Sequence, residues 1–317
     1  MINSYNRATG KINATNKKSK IAIGCLVILA KLLKIIRWRG MGKVGSFVVK
    51  IFRIDPVLTI ELSSDSKMNI NLHDPYWNRL VDSRFTYETE ISFALDLFKD
   101  LKYLFVDGGA NIGYWSILNS SNKYGKQHCV AIEASKKVFE ILEQNRQLNN
   151  ACFDVKHKAI SNSSNQEVVF HNNMSHASGS LISLVADDED RTEKVLTITI
   201  DEVLEQYSYD SCIIKLDVEG VEISAIEGAT NTIRNTMPLF IYEEHGNDKA
   251  NKVSHYLSKL ENYYLYYIDN NHNIRLINDV DSDLENIKTN SKKGYNLFAA
   301  HSETMFSSLL EELIKKQ

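Results

Sequence analysis

The stretch Lys102-Tyr-Leu-Phe-Val-Asp107-Gly108-Gly109-Ala110-Asn111-Ile112-Gly113-Tyr114-Trp115-Ser116 constrains the fold more than any other part of the chain. Tyr103 to Val106 is aromatic and β-branched, which reads as a buried strand; Asp107 closes it, glycines follow, and an apolar helical pattern starts at Ile112. A strand, a tight loop and a helix in that order open a βαβ unit. In doubly wound sheets the loop after such a strand lies at a crevice, at the carboxyl ends of the strands, where ligands bind.

Charge narrows the ligand. A dinucleotide fingerprint runs G-x-G-x-x-G and seats a pyrophosphate on the helix N-terminus, whereas this loop runs Asp107-x-Gly109-x-Asn111-x-Gly113. A carboxylate there repels a pyrophosphate and attracts a ligand bearing an ammonium and a sulfonium, and S-adenosyl-L-methionine carries both. The next strand, Cys129 to Ile132, ends at Glu133, 26 residues after Asp107 and suited to a ribose diol. An NAD-dependent sugar oxidoreductase or epimerase is the alternative enzyme, disfavoured by Asp107 and the missing fingerprint. A non-catalytic adapter is the alternative outside enzymes, disfavoured by the intact loop.

The net charge of -3 hides an asymmetry: residues 1–54 hold 12 Lys and Arg and no Asp or Glu, so the remainder carries 25 basic against 40 acidic residues. An acidic body argues against nucleic acid as partner. Four cysteines without C-x-x-C spacing point to a reducing compartment and away from structural zinc. In the basic segment, Ile21 to Ala30 is an apolar run too short to span a bilayer, framed by Lys17, Lys18, Lys20, Lys31 and Lys34. Residues 17–39 therefore read either as a helix lying on an anionic membrane, with Trp38 at its end, or as a helix packed on the body or a partner. The matching location is cytoplasmic, peripheral at the inner face of the membrane.

Three parts are expected: a basic extension (1–54), with Gly40-Met-Gly42 as a linker, a hairpin lead-in (55–86) and an α/β domain (87–317). The hairpin comprises Val57 to Leu62 and Lys67 to Leu72. Thr89 to Lys99 reads as a helix, Lys136 to Leu148 as a helix capped by Ser135, and Phe153 to Ile160 as a third strand. A strand from Ser211 to Asp217, a helix from Val221 to Arg234, a strand from Leu239 to Glu243 and a closing helix from Thr304 to Lys315 follow. The alternation predicts a mainly parallel, doubly wound sheet with a reversed edge strand.

Parallel strands bring their ends together, so Asp217, Glu219 and Glu222, with Glu243 and His245, are the candidate acid–base set. His176, in the polar loop Ser175 to Ser180, is a lesser candidate for covering the site. A metal on Asp217, Glu219 and Glu243 is a weaker reading, and none is assigned. As a loop carboxylate, Asp107 is expected to add little to the core.

The series VDGGANIGYWS, AIEAS, TITIDEVL, IIKLDVEGVEISAIEGA and PLFIYEE resembles the FkbM family of methyltransferases, in order and spacing, over roughly residues 87 to 300. The resemblance implies a Rossmann-like class I methyltransferase fold, dependence on S-adenosyl-L-methionine and O-methylation of a small-molecule or glycan hydroxyl. It places Asp107, Gly109, Asn111 and Gly113 at the cofactor's methionine end, Glu133 on its ribose, and Asp217, Glu219 and Glu222 on the acceptor side. Tyr87-Glu88 also matches a family position. Gly108 and Ala134-Ser135 depart from the family pattern without removing a cofactor contact.

Overall fold

The computed structural model describes residues 2–172, 179–180, 192–218 and 220–317. The basic segment is woven into the fold. Strands β1 (Ser4–Asn6), β2 (Ile12–Asn13), β3 (Val57–Glu61) and β4 (Lys67–Asn71) make a sheet of order β2-β1-β3-β4, in which β1 runs parallel to β3 and β3–β4 is the expected hairpin. Between β2 and β3 lie helices α1 (Lys17–Leu33) and α2 (Met41–Phe52). Asn16 caps α1, its Oδ1 accepting from the Ser19 N–H at 2.8 Å. Helix α1 turns Ala22, Ile23, Leu26 and Ala30 into the same core as Leu58, Ile70 and Trp77, so one side of it packs on the body. Burying a side chain such as Leu26 stabilises by roughly 1.5–3 kcal/mol.

Two expectations for this segment fail. Gly40-Met-Gly42 is no linker: helix α2 begins at Met41, and a Cβ on Gly45 would sit 1.8 Å from the Leu72 carbonyl oxygen, so small residues here let α2 approach the end of β4. Trp38 turns inward, its Nε1 donating to Asp82 Oδ2 at 3.0 Å and its ring edge-on to Phe85. An indole N–H gains more from a buried carboxylate than from water.

The chain then passes through α3 (Thr89–Phe98), β5 (Leu104–Gly108), α4 (Tyr114–Asn119), β6 (His128–Glu133), α5 (Lys136–Leu148) and β7 (Asp154–His157). The expected third strand divides here. Ala159–Ile160 separates as β8 and joins β9 (Glu167–Asn172), β10 (Gly179–Ser180) and β11 (Thr192–Ile198) in a second small sheet of order β10-β9-β11-β8. After α6 (Ile200–Leu204) and β12 (Cys212–Leu216), the helix expected over 221–234 divides at Gly228 into α7 (Glu222–Glu227) and α8 (Thr230–Thr236). The chain continues through β13 (Leu239–His245), α9 (Lys252–Leu257), β14 (Tyr263–Ile268), β15 (Ile274–Ile277), α10 (Val280–Ile287), β16 (Gly294–His301) and α11 (Met305–Ile314).

The main sheet has the order β15-β14-β16-β13-β12-β5-β6-β7, with β13, β12, β5, β6 and β7 parallel. Two strands are reversed: β15 at the edge, as expected, and β16, which lies between β13 and β14 and pairs antiparallel with both. Successive strand residues serve opposite faces, as the pleat requires. Phe105, Cys129, Ala131, Ile213 and Ile241 face the core shared with α1, α3, α4, α5 and α11, whereas Val106, Val130, Ile132, Ile214 and Phe240 face α6, α7, α9 and α10. Both faces are covered, which accounts for the continuous apolar runs of these strands. Among the described residues, no helix is long and apolar enough to cross a membrane.

Candidate active site

Register assembles the site. Strand β5 pairs with β6 so that Gly108 opposes Ile132, with β12 so that Gly108 opposes Leu216, and β12 pairs with β13 so that Leu216 opposes Tyr242. One residue further on, Glu133, Gly109, Asp217 and Glu243 stand in one row at the strands' carboxyl ends. The next row down on the same face pairs Asp107 with Lys215. Gly109 is required here: its φ is +72°, and a Cβ would lie 1.9 Å from the Asp217 carbonyl oxygen. Gly113, also left-handed, closes the loop ahead of α4, where a Cβ would meet Leu142.

Lys215 is the residue that sequence reasoning passed over. Its side chain is 4% exposed, with Nζ 3.4 Å from Asp217 Oδ2 and 3.8 Å from Asp107 Oδ1. Burial alone would lower its pKa, but the charges of Asp217, Asp107 and Glu88 outweigh burial and hold the ammonium above its ordinary value. The signal in the sequence was the spacing Lys215-x-Asp217, which puts both side chains on one face of a strand.

Asp107 is more enclosed than a loop carboxylate. It is buried, one oxygen accepts from the Ser116 N–H at 3.1 Å and from Ser116 Oγ at 2.7 Å, and burial pushes its carboxyl up against the pull of Lys215 and Ser116. The other oxygen, Oδ1, has no hydrogen-bond partner and lies toward Lys215. Asp107 therefore ties β5 to α4, which corrects the expectation that it adds little to the core.

Glu133 accepts from the Asn111 N–H at 2.9 Å and the Ser135 N–H at 2.8 Å, one on each oxygen. Burial raises its pKa to about 7 despite these bonds. The Ala134 N–H also bonds this carboxylate, and of its about four lone-pair sites at least one stays open to a further donor such as a hydroxyl. Asn111, at φ +50°, accepts through Oδ1 from its neighbour Ile112 N–H and from Trp77 Nε1, each within 3.0 Å.

Trp77 belongs to an aromatic cluster that only the three-dimensional fold brings together. Tyr76, Trp77, Tyr87, Tyr114 and Trp115 pack with ring centroids 5.0–5.9 Å apart. Trp115 Nε1 donates to Glu88 Oε2 at 2.7 Å. Burial lifts Glu88 to about 7, with Lys215 opposing and Asp217 reinforcing the rise. Tyr76 and Tyr87 feel the charges of both Glu88 and Asp217, which places the two rings beside that carboxylate pair.

The other sequence-derived candidates divide. Asp217, with its side chain 31% exposed, and Glu243 border the crevice. His245 stands half-exposed at the end of β13, its Nε2 3.9 Å from Glu243 Oε2. Glu222 turns back on its own loop, where Oε1 accepts from the Gly220 N–H at 3.0 Å, so it orders the turn into α7. Glu219 and His176 lie outside the described residues. Among the described residues, no three His, Cys, Asp or Glu side chains converge to hold a metal ion.

A family model described as the methyltransferase FkbM domain matches residues 107–266, just over half of the chain. The chain belongs to this family. Membership in a methyltransferase family supports S-adenosyl-L-methionine as methyl donor over the oxidoreductase alternative. Among solved structures, the FkbM domain is similar to methyltransferase FkbM from Methylobacillus flagellatus KT, at 16% identity over 62% of this chain and 43% of that one, with a TM-score of 0.39. It is also similar to a precorrin-6y C5,15-methyltransferase from Geobacter metallireducens GS-15, at 11% identity over 68% and 90% of the two chains, with a TM-score of 0.37. The chain spans less than half the length of the Methylobacillus protein. No curated protein matches it.

Proposed function

We propose that the protein transfers a methyl group from S-adenosyl-L-methionine to a hydroxyl oxygen of a sugar, in a small molecule or a glycan. The observation that carries this reading is Glu88: a carboxylate with its pKa raised to about 7, beside Asp217 and flanked by Tyr76 and Tyr87. A hydroxyl needs a base as it attacks carbon, and a base that titrates near the working pH is the most effective one. A sugar offers hydroxyls to the carboxylates and a C–H face to the tyrosine rings.

The residues present suit the cofactor. In this reading Glu133 meets the ribose diol through its remaining lone-pair capacity, and the backbone of the loop Gly109 to Gly113 borders the methionine end. The carboxylates of Asp107 and Asp217, tempered by Lys215, supply the negative field that favours a cation. When bound, the cofactor supplies a methyl group on a sulfonium, a leaving group that departs neutral. Glu88 takes the hydroxyl proton as the oxygen gains the methyl, and Lys215, 3.4 Å from Asp217, holds that carboxylate in place to orient the hydroxyl. Much of the rate comes from alignment of oxygen, methyl and sulfur in line.

The test uses the full chain, methyl-labelled cofactor and a panel of mono- and oligosaccharides. Label in alkali-stable ethers is expected, with Glu88→Gln lowering kcat by about 100-fold and leaving the affinity for S-adenosylhomocysteine within twofold. Label confined to amines or to alkali-labile esters, or unchanged turnover in Glu88→Gln, overturns the reading.

A further inference from the structure

Helix α1 has two apolar sides, and the site uses neither. Its inner side packs into the core, while Ile21, Ile28 and Leu32 face outward, 50%, 61% and 60% exposed, and Ile35 in the turn that follows is 88% exposed. These positions, with Cys25, fall at i, i+4, i+7, i+11 and i+14 and form one stripe about 20 Å long. On the same helical projection Lys20, Lys31 and Lys34 flank one side of the stripe, and Lys18 the other. Helix α2, packed against α1, repeats the arrangement with exposed Phe47 and Ile51 beside Lys43 and Lys50. No acidic residue occurs before Asp55.

From this juxtaposition we infer that the outer face of α1 and α2 docks on an anionic lipid membrane, lying in the headgroup region without crossing it. A continuous apolar stripe in water needs a cover, and the charges decide which. A second copy of the chain meeting stripe to stripe would set lysines against lysines with no carboxylate between them. A bilayer with acidic headgroups offers the opposite sign at the rim and hydrocarbon beneath, which is the surface a helix of this pattern binds. Attachment is parallel to the surface, because a helix whose other side is packed into a protein core cannot insert end-on. The inference stands on the N-terminal segment alone and is independent of the acceptor.

Vesicle co-sedimentation of the full chain tests it, with vesicles of equal parts phosphatidylglycerol and phosphatidylcholine against phosphatidylcholine alone. Binding to the anionic vesicles that weakens as salt is raised is expected. Each basic residue near such a surface adds about fivefold to the partition coefficient, so Lys20→Glu/Lys31→Glu/Lys34→Glu is expected to lose at least about 100-fold. Ile28→Glu/Leu32→Glu is expected to abolish binding. Both variants alter only exposed side chains, and unchanged binding of S-adenosylhomocysteine confirms that they fold. Absence of binding at low salt, or equal binding to both vesicle types, overturns the proposal. So does a concentration-dependent dimer in sedimentation velocity that Ile28→Glu/Leu32→Glu dissolves, which would give the stripe to a second copy.

Discussion

Replacing Glu133 with Gln separates charge from shape at the proposed ribose contact. Each carboxylate oxygen of Glu133 accepts one backbone N–H, from Asn111 and from Ser135. The amide of Gln presents one oxygen and one NH2, so one of those two backbone donors loses its acceptor and faces another donor. Leaving a buried donor unpaired costs about 1–3 kcal/mol. Hydrogen bonds from the ribose hydroxyls to an ionised acceptor contribute about 1.5–3 kcal/mol, against about 1 to a neutral one, so affinity is expected to fall roughly 10- to 100-fold. The pH profile is the sharper test. With a pKa of about 7, Glu133 is about nine-tenths ionised at pH 8 and about one-tenth at pH 6, so the wild-type Kd is expected to rise about tenfold between them. The Gln variant has nothing at this position to titrate and loses that slope. Stability without ligand runs the other way. The folded pKa lies above the unfolded value, so protonation favours the fold, and the stability it gives is complete below about pH 4.5 and is lost as pH rises through 7. Isothermal titration with S-adenosylhomocysteine at pH 6, 7 and 8 reads the binding arm. A wild-type Kd flat across that range, or a Gln variant that keeps both affinity and slope, refutes the reasoning.

Four further outcomes follow from the geometry. Lys215→Met removes the ammonium between Asp107 and Asp217 and is expected to cost about 3–5 kcal/mol in chemical denaturation; the loss is larger at pH 8 than at pH 5, since Asp107, whose carboxyl burial pushes up, takes up a proton more readily at the lower pH. Leu26→Ala, on the inner side of α1, is expected to cost about 2–5 kcal/mol, whereas Ile28→Ala, on the outer side, changes stability by less than about 0.5 kcal/mol. Gly45→Ala is expected to lower the melting temperature, because its Cβ would lie 1.8 Å from the Leu72 carbonyl oxygen and α2 would have to shift. Trp115→Phe keeps the ring packing but removes the 2.7 Å bond to Glu88; that bond lowers the Glu88 pKa, so the acid limb of the pH–rate profile is expected to move to higher pH.

The central strands were legible because their chemistry is local: apolar runs that end in Asp107, Glu133, Asp217 and Glu243 mark both the strands and their carboxyl ends. What was not legible depends on register and on distant partners. Lys215 and Asp107 are far apart in sequence and become neighbours only when β5 and β12 pair. Glu88 stands out in the sequence only through the family resemblance at Tyr87-Glu88; that it is a buried carboxylate bonded by Trp115 and facing Lys215 emerges only on folding. The glycines at 40 and 42 read as flexibility, since nothing local reveals the chain that α2 must approach. Glu222, expected on the acceptor side, also accepts from the Gly220 N–H of its own loop, a contact that spacing alone does not reveal.

The parallel pairing of β1 with β3 also bears on how the chain is made. Ser4 to Asn6 leaves the ribosome about fifty residues before Thr59 to Glu61, its partners, and the Arg7 guanidinium, which closes on the Asp82 and Phe85 carbonyls and on Tyr114, waits longer still. At about 5–20 residues per second, the interval before Tyr114 is made is on the order of five to twenty seconds. Until α2 and the β3–β4 hairpin are made, both sides of α1 are uncovered in a segment carrying only positive charge. Deleting residues 1–40 removes more than an appendage: it strips β1 from β3 and leaves an open strand edge, a template for aggregation.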